Sequence, residues 1–118
     1  MAELTPRPPF SLRSLETLQQ FQQKHDRVFH RDVFLMTTNR QLHHILCHLN
    51  KITGHLGDYL DKTDHEDDDN AERIKKDLAE KRVPDLFAFC LMLASHFSIN
   101  LEDQYFNRIA EVEEKKLR

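Results

Sequence analysis

The sequence predicts an all-α protein built as a bundle of four to five helices. Of its 118 residues only 2 are Gly and 4 are Pro, and three of the prolines lie within the first nine residues. All-β chains need turn residues about every ten positions, so this composition argues against them. Apolar residues also recur three and four positions apart over most of the chain, which is the period of an amphipathic helix.

Charge and composition narrow the classes of function as well. The chain has 17 Lys+Arg against 20 Asp+Glu, so a dedicated binder of nucleic-acid polymers is not expected. The longest apolar run, residues 86–94, is far shorter than a membrane span, and we identify no signal peptide. Cys47 and Cys90 lie in apolar helical patterns and are expected to be buried thiols. We therefore expect a cytoplasmic protein with no membrane partner.

The first helix is expected to follow a short arm. Residues 1–10 are rich in proline and lack a helix cap, so we expect them to be flexible, with residues 11–118 forming a single helical domain. Ser11 is the predicted N-cap, because apolar residues follow it at helical spacing. This helix is expected to end near His30.

The second helix is expected to open at Thr38, which with Gln41 resembles a capping box, and to run to about Leu60. Glycine inside a helix costs about 1 kcal/mol relative to alanine, so Gly54 and Gly57 suggest close helix packing or a crowded site. A helical wheel separates an apolar face, expected to be buried, from a polar stripe opposite. The apolar face comprises Leu42, Ile45, Leu46, Leu49, Ile52, Leu56, Tyr59 and Leu60, and the polar stripe comprises His44, His48, Lys51, His55 and Asp58.

An acidic loop and a short basic helix are expected next. Residues 61–69 contain six acids and one Lys, which is typical of a solvated loop. Asp69 and Glu72 are suited to cap a short helix that reaches Glu80. The loop lacks the glycine and the alternating ligand spacing of an EF-hand, so it is not expected to bind calcium.

Pro84 is expected to start a further helix, because proline suits the first turn and Asp85 would then lie beside the positive end of the helix dipole. Nearly every position from 86 to 97 is apolar, which predicts a central helix. Ser98 closes it, and Asn100 caps the last helix. A helix this apolar cannot be covered by a small bundle alone, so we expect at least a dimer.

Two segments resemble the MazG-like nucleoside-triphosphate pyrophosphohydrolases, with the compact dCTP-pyrophosphatase type the most similar. They are ITGHLGDYL at residues 52–60 and PDLFAFCLMLASHFSINLED at residues 84–103, separated by the acidic loop. The resemblance runs from about Leu15 to Lys115. It implies a MazG-like helical bundle assembled as a homodimer or homotetramer, with nucleotide bound between helices. It also implies Mg²⁺ held by paired acids, which in this family activates water to release pyrophosphate.

Half of the polar residues that the resemblance implies are replaced in this chain. The family's glutamates on the second helix fall on Ile52 and His55, with a third acid at Asp58. The acidic pair on the next long helix falls on Arg82 and Asp85. The phosphate-binding trio of the last helix, two basic residues and an Asn, falls on Arg108, Val112 and Lys115. An arginine about 5 Å from a divalent ion costs up to roughly 7 kcal/mol at an effective dielectric constant near 20, so the ordinary Mg²⁺ site is not expected to form.

Three hypotheses follow. The first is a catalytically degenerate MazG-like protein acting as an oligomeric interaction module or as a nucleotide- or anion-binding module, with Arg82, Arg108 and Lys115 as phosphate-binding residues. The second is an active pyrophosphohydrolase whose metal and catalytic residues are His55, Asp58 and Asp85, using Mg²⁺ or Mn²⁺. The third is a zinc or nickel site on the polar stripe, for which a solvated helix face is the favoured alternative.

Overall fold

The computed structural model describes residues 5–117, and every regular element among them is helical. A 3₁₀ turn at Phe10–Leu12 comes first, and one π-helical turn, Leu78–Arg82, lies between the fourth and fifth α-helices. The prediction of an all-α chain is confirmed. The α-helices are α1 (Leu15–Phe29), the short α2 (Arg31–Phe34), α3 (Thr38–Asp64), α4 (Asp68–Asp77), α5 (Val83–His96) and α6 (Leu101–Leu117).

The chain divides into two compact units, and the division falls inside α5. The central unit is Met36–Cys90, with α3, α4 and the first part of α5. The terminal unit combines residues 5–35 with residues 91–117 of the described chain, so it contains α1, α2 and α6. Within the central unit α3 packs on α4, and within the terminal unit α1 packs on α6.

Helix α1 begins one turn later than predicted. Ser14 is its N-cap: the Ser14 hydroxyl accepts from the Thr17 N–H at 3.2 Å, and the Ser14 N–H donates to the Thr17 hydroxyl at 2.7 Å. This reciprocal capping box satisfies two backbone donors, whereas Ser11 lies in the 3₁₀ turn. Of the predicted flexible arm, residues 1–4 lie outside the described residues. Arg7 of the described part stacks over the Phe21 ring of α1 at 5.6 Å.

Helix α3 begins at Thr38 but continues past Leu60 into the acidic segment. The predicted capping box of Thr38 and Gln41 is wrong, because the N-cap is Thr37 and its side chain makes no capping hydrogen bond. Lys62 lies 3.6 Å from both Asp58 and Asp61, which offsets part of the repulsion between the acids. The turn after α3 is therefore only residues 65–67. Glu66 adopts a left-handed φ of 57°, as residues at a helix C-terminus commonly do.

Pro84 does not start a new helix, so that prediction is wrong. The chain continues from α4 through the π-helical turn into α5, and the Val83 N–H donates to the Leu78 carbonyl five residues earlier. This wider turn lets the chain pass proline, which has no N–H to give and clashes with a regular turn. As a result Asp85 is not at a free helix N-terminus.

The end of α5 and the start of α6 follow the predicted signals. Ser98 has φ 55°, and the Ile99 N–H donates to the Ala94 carbonyl at 2.8 Å while the Ser98 N–H donates to the Ser95 carbonyl at 3.1 Å. These two bonds form a Schellman motif. The Asn100 side chain then accepts from the Asp103 N–H at 3.2 Å, which confirms Asn100 as the cap of α6.

Few apolar side chains are buried. No large side chain within residues 5–117 is fully buried, and Leu86 and Phe87 of α5 are 38% and 42% exposed. The chain alone thus leaves the first half of α5 uncovered, in line with the expectation that a small bundle cannot cover so apolar a helix. The prediction of buried thiols is wrong, because Cys47 and Cys90 are exposed. None of the single helices in the described part of the chain is long and apolar enough to cross a membrane. The buried apolar residues are Val33, Ile45, Ile52, Ala71, Ile74, Leu91 and Ala94.

Replacing Ser98 with glycine is expected to stabilise the protein. A residue with a Cβ pays about 1 kcal/mol or more in the left-handed conformation, which glycine adopts freely. Ser98→Gly should therefore raise the free energy of unfolding by about 1 kcal/mol in urea denaturation. Gln104→Gly, at an exposed helical position of α6, should lower it by a similar amount. Equal effects of the two substitutions would contradict this account of Ser98.

Candidate functional site

The residues predicted to hold a metal all lie in the central unit, His55 and Asp58 on α3 and Asp85 on α5. Asp58 and Asp85 are exposed, and His55 is half-buried. Asp58 pairs with Lys62 at 3.6 Å. Their donor atoms do not form a group within 4.8 Å of one another, a test made on residues 5–117. Two separated carboxylates and an imidazole do not fit Mg²⁺, which requires near-octahedral oxygen ligands. The catalytic roles of the three residues stay predictions.

Arg82, predicted to bind phosphate, is held by a carboxylate of the preceding helix. Its Nε donates to the Asp77 carboxylate at 3.0 Å, and both side chains are about two thirds buried. This hydrogen bond holds the pKa of Asp77 below its ordinary value, and the charges of Arg82, Lys81 and His55 act in the same direction. An incoming phosphate would have to compete with Asp77 for the guanidinium.

The other two predicted phosphate-binding residues lie on α6 of the terminal unit. Arg108 donates to Glu111 at 2.8 Å, in an exposed pair three residues apart. Lys115 is exposed near the end of the helix. Exposed pairs of this kind contribute little stability, so Glu111 is a weak competitor for Arg108.

The polar stripe of α3 is not simply a solvated face. His48 stacks on the Phe89 ring of α5 with 4.8 Å between ring centroids, and His44 contacts His48 edge to face at 4.5 Å. Burial lowers the pKa of His48, the neighbouring charges of His44 and Lys51 lower it further, and Asp85 opposes them. The neutral ring is therefore favoured, and aromatic packing is what this pair does in the structure.

Part of the apolar face of α3 is correspondingly exposed. Leu46, Leu56 and Leu60 are 53%, 51% and 53% exposed, while Ile45 and Ile52 are buried. The buried face of α3 is thus displaced around the helix axis from the face that the helical wheel predicts, toward the side that carries the histidines. The exposed ridge runs along one side of the helix at spacings of three, four and seven residues, and we call it the leucine stripe: Leu46, Thr53, Gly57 and Leu60.

The two glycines of α3 have free space beside them. A Cβ built on Gly54 or on Gly57 would meet no atom of the described part of the chain within 4 Å outside the helix itself. The close packing expected at these positions is thus not supplied by the chain. Gly57 lies in the middle of the leucine stripe, and Gly54 lies beside it.

A cavity of about 320 Å³ opens in the terminal unit beside Gln19 of α1. The Gln19 amide donates to the Ile99 carbonyl at 2.7 Å, and its oxygen accepts from the Leu101 N–H at 3.1 Å. Gln19 thus fixes the turn between α5 and α6. None of the residues predicted to bind metal or phosphate lines this cavity, whose walls are Glu16, Gln19, Gln20, Gln23, Ser95, Ser98, Ile99 and Asn100.

One cluster of potential ligands was missed in the sequence, and we call it the α1 cluster: His25, Asp26 and His30. Their ligand atoms all lie within 4.8 Å of one another. Asp26 is only 7% exposed, and the Gln22 amide donates to it at 2.9 Å. Burial raises the pKa of Asp26, while Gln22, His30 and His25 act to lower it. The available signal was the pair His25 and Asp26 followed by a histidine four residues after the aspartate.

Comparison with known proteins gives no family assignment. No protein-family model, no curated protein and no solved structure matches the chain. The resemblance to MazG-like proteins therefore stays a hypothesis from the sequence.

The pair of Asp77 and Arg82 is expected to make stability depend on pH. A carboxyl group whose pKa is lowered by folding stabilises the fold above its ordinary pKa of about 3.9, and this contribution is lost as the pH falls through the lowered value. Asp77→Asn should therefore be less stable than the wild type in urea at pH 7, and the difference should shrink as the pH falls below the ordinary pKa of an aspartate and through the lowered pKa of Asp77.

The control is the same substitution in an Arg82→Met background. There Asp77→Asn should have a smaller effect at pH 7, because the hydrogen-bonding partner is absent. An equal loss with and without Arg82 would show that the pair does not carry the effect.

Proposed function

We propose that the chain is a MazG-like helical domain that has lost the ordinary Mg²⁺ site and works as a self-associating interaction module. The observation that carries this is the leucine stripe, which a single chain leaves open along a 27-residue helix. Exposed apolar ridges on regular helices are typical of protein interfaces. Among the predicted partners, a second copy of the chain has the best support.

The glycine in the leucine stripe favours a helix as the occupant. Gly57 costs α3 about 1 kcal/mol relative to alanine, and no residue within 5–117 uses the space it leaves. A helix of another chain would gain from that space, because glycine permits close approach of two backbones. Thr53 lies one turn before Gly57, and leucines lie on both sides, so the ridge offers a shallow notch between apolar side chains.

Charge distribution favours an antiparallel pair of identical helices. The start of α3 carries Arg40 and His43, and its end carries Asp61 and Asp64, all exposed. A two-fold axis across the stripe would place the basic start of one helix beside the acidic end of the other. The same patch would then serve both copies, as in most homodimers. A second exposed apolar ridge, Val83, Leu86 and Phe87 on α5, allows further assembly into a tetramer.

Replacing each of the two glycines with alanine is expected to distinguish effects on the stability of the chain from effects on its self-association. Gly54→Ala and Gly57→Ala should each stabilise the chain by about 1 kcal/mol in urea at low protein concentration, since neither Cβ meets a neighbour among the residues that the structure describes. Only Gly57→Ala should weaken assembly, because overpacking an interface costs about 1–3 kcal/mol, which is about 5-fold to 150-fold in the dissociation constant.

Sedimentation equilibrium measures both the state of assembly and the dissociation constant. Gly54→Ala is the matched control, with the same chemical change beside the stripe rather than within it. A wild type that stays monomeric at all concentrations would contradict the proposal. So would a Gly57→Ala protein that assembles as tightly as Gly54→Ala.

The active pyrophosphohydrolase is tested directly by pyrophosphate release from a panel of NTPs and dNTPs with Mg²⁺ or Mn²⁺. We expect no metal-dependent turnover, because the side chains of His55, Asp58 and Asp85 do not converge and the guanidinium of Arg82 is on the same segment as Asp85. Turnover that is lost in Asp85→Ala would show that His55 and the two aspartates form a working site in place of a degenerate one.

A further inference from the structure

We propose that the α1 cluster is a binding site for a divalent transition-metal ion of the zinc class. Two imidazoles and one carboxylate converge there, with all ligand atoms within 4.8 Å of one another. The site lies at the end of α1 in the terminal unit, and none of its three residues is one to which the resemblance assigns metal. It is independent of self-association through α3.

The buried carboxylate is the first argument. Asp26 is 7% exposed, and the neutral amide of Gln22 donates to its side chain at 2.9 Å. Removal of a carboxylate from water costs several kcal/mol unless charges or several hydrogen bonds replace the water. Beside this amide, the imidazoles of His30 and His25 act to lower the pKa of Asp26. A cation held between the three side chains would neutralise the buried charge, and both imidazoles would bind it in their neutral form.

The break at the end of α1 is the second argument. Side chains five residues apart on an uninterrupted helix point in clearly different directions, so His25 and His30 would not normally meet. Here α1 ends at Phe29, and His30 has non-helical angles of φ −124° and ψ 39°. The two rings consequently meet edge to face, with 5.4 Å between their centroids. The His30 N–H still donates to the Asp26 carbonyl at 2.9 Å, which holds this arrangement in place.

The geometry suits zinc. Zn²⁺ is bound tetrahedrally by His nitrogen and Asp oxygen at about 2.0–2.2 Å, which puts neighbouring ligand atoms about 3.4 Å apart. From separations of at most 4.8 Å, the ligand atoms need to approach by no more than about 1.4 Å, within reach of side-chain rotation. Two imidazoles favour zinc and other transition metals over Mg²⁺ and Ca²⁺, which prefer oxygen ligands alone.

The exposed side of the cluster provides a route for the ion. Asp26 is buried, His25 is half-buried and His30 is exposed, so the cluster opens to solvent on the His30 side. His25 stacks on Phe29 with 4.9 Å between ring centroids, which restricts its ring. Three protein ligands leave one position of a tetrahedral ion for water, the arrangement of exchangeable and catalytic rather than closed structural zinc sites.

The test is titration of the tag-free, chelator-treated full chain with Zn²⁺ by calorimetry and with Co²⁺ by visible absorption. We expect one ion per chain and the intense absorption of four-coordinate cobalt. His30→Ala and Asp26→Asn should each weaken Zn²⁺ binding at least about tenfold, since loss of even an outer-shell partner often costs that much. Thermal unfolding should show that Zn²⁺ raises the Tm of the wild type more than that of His30→Ala.

Two controls keep the assignment specific. His43→Ala, an exposed histidine on α3, and His44→Ala, on the polar stripe, should leave Zn²⁺ affinity unchanged. Because His30 is exposed, His30→Ala is expected to fold normally, and circular dichroism checks that it does. The proposal is overturned if the wild type binds no Zn²⁺ at micromolar concentrations, if binding survives loss of His30 and of Asp26, or if it is lost with His44 instead.

Discussion

The scarcity of fully buried apolar side chains is the constraint on which the rest of the structure depends. Burial of apolar surface is the main favourable term in folding, at about 25 cal/mol per Å². In this chain the buried apolar set consists of Ala, Val, Ile and Leu, while Phe87, Leu46 and Leu60 stay half exposed. Helix caps, short turns and the α3 to α4 contact hold the described elements together. The apolar side chains that the fold leaves exposed are therefore the main surface with which the chain can bind another molecule.

Local interactions have a large share in fixing where the helices begin and end. The Ser14 and Thr17 capping box and the Asn100 cap satisfy donors that are otherwise unpaired at helix starts. Ser98 and Glu66 end their helices in the left-handed conformation although neither is glycine. Their strain is offset by the Schellman bonds that they complete. Each cap contributes on the order of 1 kcal/mol, a large amount relative to the net stability of a small domain.

The sequence predicted helix type well because the 3.6-residue period and the low glycine content act locally. It did not predict which face of α3 is buried. The apolar face is so wide that the helix can turn about its own axis and still bury apolar residues. Stacking of His48 on Phe89 accompanies the rotation, and these two residues are 41 positions apart. The π-helical turn before Pro84 was missed for a related reason. Proline predicts an interruption of the regular helix, but a wider helical turn accommodates proline as well as the start of a new helix does.

The candidate sites, too, depend on contacts that the sequence pattern does not show. Arg82 was identified from an alignment of segments, which says nothing about the carboxylate of Asp77 that holds its guanidinium. The α1 cluster was missed because a regular helix would have kept His25 and His30 apart. A break of one residue at His30 is enough to change which side chains meet. At a helix end, the few residues with non-helical backbone angles therefore decide which side chains come together. A prediction from periodicity assumes helical angles at every residue, so it cannot find such a cluster. Among residues 5–117 Asp26 is the one buried carboxylate, and it lies beside such a break, so its burial is the one that most requires a functional explanation.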